Sequence, residues 1–224
     1  MVVRVLERAR EAAGVERVLV ATDDDQIRDA VEQAGGEARM TARHHPSGTD
    51  RIAEVARGLE CEVVVNVQGD LPFLDPEYVE AAVDALGAAP DGADPAAVGT
   101  LATPLLEGEM ERSQVVKVVC DRFGRALYFS RSPIPSGSPE GLRHIGLYAY
   151  RRDFLLELAG MEPTSLETAE RLEQLRVLEN GRRIQVTRVE AQESMIEVDT
   201  PQDLARVRRW LTERRRSPVR ERDG

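Results

Sequence analysis

The sequence predicts an α/β fold organised on a mixed sheet, and three observations predict it. Strand-like apolar runs alternate with amphipathic helical runs in the N-terminal half, capping residues follow directly on the strand candidates, and the second half changes to successive strands. A helix is read over residues 2–13, where Val2, Val5, Leu6, Ala9 and Ala13 recur at helical spacing and Gly14 offers a stop. Val18-Leu19-Val20-Ala21-Thr22 is apolar and β-branched, so a strand follows. Asp23-Asp24-Asp25 caps a second helix to about Gln33, and Gly35-Gly36 ends it before a short strand at Ala38-Arg39-Met40-Thr41. Ser47-Gly48-Thr49-Asp50-Arg51 opens a third helix, and 63–67 is an apolar strand. Pro76, suited to a first helical turn, begins a helix to about Leu86.

After a Gly/Pro/Asp/Ala loop at 88–95, strands are expected at 97–101, 115–120, 126–129 and 145–150, with a short helical stretch near 107–112. Such a run implies an antiparallel excursion within the sheet. Helices at 151–159 and 167–180, a strand at 184–189 and a helix from Pro201 complete the chain. A single domain is expected over 1–213, followed by a charged, disordered tail at 214–224.

A chain of 224 residues, 42% of them hydrophobic, is long enough to bury a core. Cys61 and Cys120 are its only cysteines and form no CxxC pair, which fits a reducing, cytoplasmic address and argues against a structural zinc site. No apolar run reaches membrane-spanning length, so no membrane insertion is expected. The net charge of −10 argues against nucleic acid as a partner. Lys117 is the only lysine, so any phosphate must be gripped mainly by arginine, backbone amides and metal.

Two carboxylates close strand candidates: Asp70 ends the run through Asn66-Val67-Gln68-Gly69, and Asp199 ends Met195-Ile196-Glu197-Val198. Strand C-terminal ends line the ligand crevice of α/β proteins, where paired carboxylates can share a hard cation with a phosphate chain. A metal-dependent nucleotide enzyme follows as the leading expectation. Helix capping is the competing role, especially for Asp199 ahead of Thr200-Pro201. Ser47-Gly48-Thr49-Asp50-Arg51 suits an anion or a ribose at a helix start, or simply caps the helix; it lacks the lysine and spacing of a Walker motif. Arg143-His144, Tyr148 and Glu173-Gln174 offer donors and acceptors for a sugar acid, or ordinary packing. His44-His45 has no companion ligands and reads as loop.

Taken in order, Val20-Ala21-Thr22-Asp23, residues 47–51, residues 65–70 with Pro72, Val116-Lys117-Val118-Val119, residues 126–131 with Ile134-Pro135, residues 143–150, residues 173–178 and residues 198–204 resemble the 3-deoxy-manno-octulosonate (Kdo) cytidylyltransferases. The resemblance extends to about Trp210. It implies a nucleotide-diphospho-sugar transferase-like (Rossmann-like) mixed sheet flanked by helices, with a small antiparallel dimerisation region and a homodimeric state. It further implies conversion of CTP and Kdo to CMP-Kdo and pyrophosphate for lipopolysaccharide biosynthesis. Mg²⁺ is the implied cofactor, held by the catalytic pair Asp70 and Asp199. Ser47, Gly48, Arg51 and Gln68 would face the nucleotide, while Gln68, Arg131, His144, Tyr148, Glu173 and Gln174 would position the sugar.

Two departures stand out. Family members begin with a strand and a basic nucleotide loop, whereas this sequence begins in the helix that follows them; inactivity as written is the expectation. Leu71 replaces a usual glutamate beside Asp70. A cytidylyltransferase for another 2-keto sugar acid and a non-catalytic dimeric sugar-binding module are the rival readings.

Overall fold

The ten-residue strand Leu142–Arg151 is the spine of the structure, a computed structural model that describes residues 1–88, 95–138, 140–190 and Ala205. The N-terminal half runs α1 (Val2–Arg10), β1 (Leu19–Thr22), α2 (Asp25–Gln33), β2 (Glu37–Met40), α3 (Gly48–Ala56), β3 (Val63–Asn66) and α4 (Pro76–Ala85). Then follow β4 (Val98–Pro104), β5 (Lys117–Cys120), β6 (Ala126–Ser130), β7 (Leu142–Arg151), α5 (Arg152–Leu158), α6 (Ser165–Glu170), α7 (Gln174–Glu179) and β8 (Ile184–Arg188). Local chemistry accounts for the helix starts. The carboxylates of Asp24 and Asp75 accept from the first amides of α2 and α4, the Ser47 hydroxyl accepts from Asp50 N, and the Glu167 carboxylate reaches back to accept from Thr164 N at the start of α6.

β7 pairs antiparallel with β3, β4 and β5, β6 pairs antiparallel with β5, and β8 lies parallel to β4. The β5–β6 turn folds back onto the far edge, where Val186 N donates to Gly124 O at 2.8 Å and Arg125 bridges Gln185. The sheet is therefore mixed and strongly curled. β1 and β2 pair in parallel as a separate two-stranded sheet. Among the described residues β1 and β3 do not pair with each other, so each keeps one unpaired edge. The two sheets are joined by helices: α3 touches both β1 and β3, and α1 packs on both α2 and α4.

Two apolar layers sandwich the six-stranded sheet. On one face Val5 and Ala9 of α1 and Tyr78, Val79 and Ala82 of α4 cover Leu101, Ile145, Leu147 and Ala149. A Cβ at Gly99 would stand 2.2 Å from the Ala82 carbonyl, so α4 comes this close only because β4 carries glycine there. On the other face Ala53, Phe154, Leu155, Leu158, Leu175 and Val177 cover Val98, Ala102, Phe129 and Ile184.

Three expectations are corrected. The stretch 107–112 is a chain of turns, because Gly108 takes φ +78° and the Glu109 carboxylate is drawn to Leu106 N and Arg143. The helix expected over 167–180 is two helices, broken where Arg171 adopts a left-handed φ of 55°. The first helix stops at Arg10 and reaches Gly14 through turns. Asp199, the start of the terminal helix and the 214–224 tail lie outside the described residues.

Candidate functional site

The polar residues of interest gather on the α3 and α7 face of the sheet. Asn66 of β3, Tyr148 of β7 and Thr100 of β4 occupy one rung, which directs the three side chains to the same face. Gln68 follows Asn66 and donates from Nε2 to its Oδ1 at 3.2 Å. An added Cβ on Gly48 would stand 3.3 Å from Gln68 Nε2, so the α3 N-terminus abuts the turn that leads to Asp70. Beside it the Ser47 hydroxyl donates to Asp50 Oδ2 at 2.6 Å.

The helix break at Arg171 supplies the other wall. It starts α7 at a new angle, and Glu173 then meets the hydroxyls of Ser47 and Thr49. Burial pushes the Glu173 carboxyl above its ordinary range, opposed by those hydroxyls and by the Arg176 guanidinium, while Asp50 adds to the rise. Tyr150 also bonds Thr49, and burial followed by the nearby Glu173 charge pushes its phenol up. Ring contacts continue the row: Tyr150 to Tyr148 at 5.8 Å, Tyr148 to His144 at 5.3 Å, and His144 edge-on to Phe129 at 4.9 Å. Burial drops the His144 pKa to about 3, so the imidazole is neutral.

Ser47, Gly48, Gln68, His144, Tyr148 and Glu173 thus form one connected group. Gln174 is buried at the α7 start, beside Glu173. Asp70 is half-buried beyond β3, in the turn that Gln68 opens. Arg51 points another way: it reaches Asp23 Oδ1 at 3.1 Å and the Thr41 hydroxyl, tying α3 to the C-terminal ends of β1 and β2. A cavity of about 450 Å³ opens there, lined by Asp23, Asp24, Asp25, Gln26 and Arg43.

Arg131 is anchored rather than extended. It donates to the carbonyls of Glu170 at 3.0 Å, Ser113 at 3.2 Å and Arg171 at 3.4 Å, using three of its five N–H groups. The Glu170 carboxylate accepts from the Ser130 hydroxyl at 2.6 Å and from Arg131 N at 2.9 Å. Burial opposes its charge, but these bonds and Tyr128 hold its pKa below the usual carboxylate range. Lys117 backs the same corner. Fully buried, its ammonium donates to the carbonyls of Val115 at 2.8 Å, Arg112 at 3.0 Å and Arg131 at 2.5 Å, and burial lowers its pKa. Together these groups hold the Arg171 break from behind.

Thr49, Asn66, Thr100 and Tyr150 belong to the site but were not singled out from the sequence. Thr49 and Asn66 lie inside runs that were recognised, without a role of their own; Thr100 sits in an apolar run with no polar neighbour to signal it. Among the described residues no group of three or more His, Cys, Asp or Glu side chains is arranged to hold a metal, and no helix is long and apolar enough to cross a membrane.

A curled mixed α/β sheet with a polar cluster between a strand end and two helix starts has the form of a nucleotidyltransferase. The family model described as cytidylyltransferase matches residues 1–184. The 3-deoxy-manno-octulosonate cytidylyltransferase of Syntrophotalea carbinolica is 51% identical, over 94% of this chain and 88% of that protein. Its namesake in Geobacter sulfurreducens is 48% identical, over 92% and 87%. A solved CMP:2-keto-3-deoxy-manno-octonic acid synthetase complexed with CTP, 40% identical, matches with a TM-score of 0.86 over 94% of this chain and 86% of that one. The chain belongs to the 3-deoxy-manno-octulosonate cytidylyltransferase family.

Proposed function

We propose that this chain transfers CMP from CTP to Kdo, releasing pyrophosphate and forming the activated sugar used in lipopolysaccharide biosynthesis. The observation that carries this reading is the joining of Ser47, Gly48 and Gln68 to His144, Tyr148 and Glu173 on a scaffold shared with a CTP-complexed synthetase. In the reaction the anomeric hydroxyl of Kdo gives up its proton to water and its oxygen bonds to the α-phosphorus as the bond from that phosphorus to pyrophosphate breaks, in line, with no protein nucleophile.

Ser47 and Gly48 present the α3 N-terminus to the nucleotide and Gln68 stands between nucleotide and sugar, while Arg51, bonded to Asp23 and Thr41, would meet the nucleotide from the side of β1 and β2. His144, Tyr148 and Gln174 offer neutral hydrogen-bonding groups to the sugar hydroxyls, and Glu173 accepts from them. Arg131 reaches the sugar carboxylate only with the N–H groups it has not committed to carbonyls. Asp70 and Asp199 are the proposed catalytic metal ligands. Asp70 suits Mg²⁺ in kind, since it is a hard oxygen donor, and Mg²⁺ beside phosphates takes only one or two carboxylates. When bound, that ion lowers the pKa of the attacking hydroxyl and neutralises charge on the α-phosphate. A cytoplasmic homodimer completes the reading; both cysteines are free thiols, and Leu127 and Phe123 expose apolar surface along the β5–β6 hairpin.

The test is pyrophosphate release with CTP, Mg²⁺ and either Kdo or a competing 2-keto sugar acid, with CMP-Kdo followed by ³¹P NMR. Turnover preferring Kdo supports the reading. Calorimetric binding of Kdo without any Mg²⁺-dependent CTP binding would replace it with a sugar-binding module.

A further inference from the structure

Thr100 is completely buried, and its hydroxyl has three polar neighbours: Leu147 O at 2.8 Å, Ile145 O at 3.3 Å and His144 Nε2 at 3.0 Å. This crowding comes from an irregularity in the sheet. The register between β4 and β7 passes from Thr100↔Tyr148 to Leu101↔Ile145, so Gly146 and Leu147 are extra residues on β7. The bulge turns two carbonyls and the imidazole toward a single side chain.

A hydroxyl has one proton, and carbonyl oxygens can only accept. Directed anywhere but the carbonyls, the Thr100 proton would leave its oxygen facing Leu147 O at 2.8 Å, acceptor against acceptor. The proton therefore goes to Leu147 O, and the contact with His144 must be made by a proton on Nε2. Among the described residues Nδ1 makes no hydrogen bond. We infer that Thr100 is a positioning residue that locks His144 as its Nε2–H tautomer, leaving Nδ1 as a fixed acceptor that selects a hydroxyl of the substrate and rejects its carboxylate. The ring has little freedom to escape the lock, being held between Phe129 and Tyr148 and 7% exposed. Its neutrality, imposed by burial, agrees with an acceptor role.

The tautomer half of the inference stands on geometry alone; the ligand half rests on the proposed function. The experiment separates them. In the ¹⁵N-labelled chain, with His44 and His45 assigned by substitution, multiple-bond ¹H–¹⁵N spectra at neutral pH should show a pyrrole-type Nε2 and a pyridine-type Nδ1 for His144. Thr100→Ser, which keeps the hydroxyl, should retain that pattern, and Thr100→Val should average it. A protonated Nδ1 in the unsubstituted chain overturns the lock, and that spectrum decides the matter even if Thr100→Val fails to fold. An unchanged tautomer in folded Thr100→Val overturns it too. Kdo should then shift the Nδ1 resonance, and Thr100→Val should raise the KM for Kdo about fivefold with little change in the KM for CTP, the value of one hydrogen bond of about 1 kcal/mol. Kdo bound, by calorimetry, without any Nδ1 shift overturns the ligand half; no Kdo binding at all overturns the proposed function and leaves the lock to be judged on the spectrum alone.

Discussion

The six-stranded sheet and the β1–β2 pair are built to different standards. In the larger sheet the polar groups behind the site are buried and hydrogen-bonded, Thr100 to the bulge and Lys117 to three carbonyls, and half-buried Glu170 of α6 bonds Ser130 and Arg131. β1 and β2 are half-exposed along most of their length and joined to the rest through α1, α3 and the Arg51 bridge. The face assigned to the sugar is thus preorganised by internal polar contacts, whereas the region reached by Arg51 is held mainly by helices. Geometry that must be accurate has been placed where the backbone cannot easily yield.

The largest effect that would sharpen this contrast comes from Asp70→Asn. Turnover should fall well beyond the roughly ten- to hundredfold typical of losing an outer partner of a metal site, while circular dichroism and the melting temperature stay unchanged. Rates like those of the unsubstituted chain would remove Asp70 from the reaction. Next comes Lys117→Met, which keeps the stem and deletes the ammonium. Three carbonyls then lose their donor, and urea denaturation should show a loss of about 3 kcal/mol; a change under 1 kcal/mol would mean that the corner holds without it.

Acid supplies the third test. The folded state keeps His144 neutral down to about 3, while the unfolded chain takes up its proton near 6.5, so the unfolded state binds more protons between those values. Stability from this group is complete above 6.5 and falls as the pH drops toward 3, by up to about 1.4 kcal/mol per pH unit. His144→Asn should flatten that part of the profile; an unaltered slope would show that other groups cause it. The smallest effect belongs to the other region: Arg51→Ala should cost only about 0.5–1 kcal/mol, because its ion pair is partly solvated. Amide exchange should nonetheless quicken in β1 and β2 and not in β4 or β7. Equal quickening throughout would abolish the distinction between the regions.

Much of this was legible in the residues, for identifiable reasons. Asp24, Ser47 and Pro76 announced their helices because the chemistry of a helix start is local, and Ser47, Gly48 and Gln68 lay in recognisable runs. The β4–β7 bulge left only a faint trace in the sequence: Gly146 inside a strand is compatible with a bulge, but nothing local fixes which residues of β7 go unpaired. The break at Arg171 was hidden for a different reason. Residues 165–179 have good helical composition throughout, and the left-handed turn is held from outside by Ser130 and Arg131, which bond the Glu170 carboxylate and the Arg171 carbonyl across about forty positions. Long-range polar contacts overrode local preference, and they are what give Glu173 its place.

The burial of Lys117 has a chemical corollary. Arginine supplies every other fixed side-chain cation, so the folded chain displays no lysine amine to reagents. An amine-selective label should find the N-terminus alone until the chain opens, and modification of Lys117 would then record, molecule by molecule, which copies had unfolded.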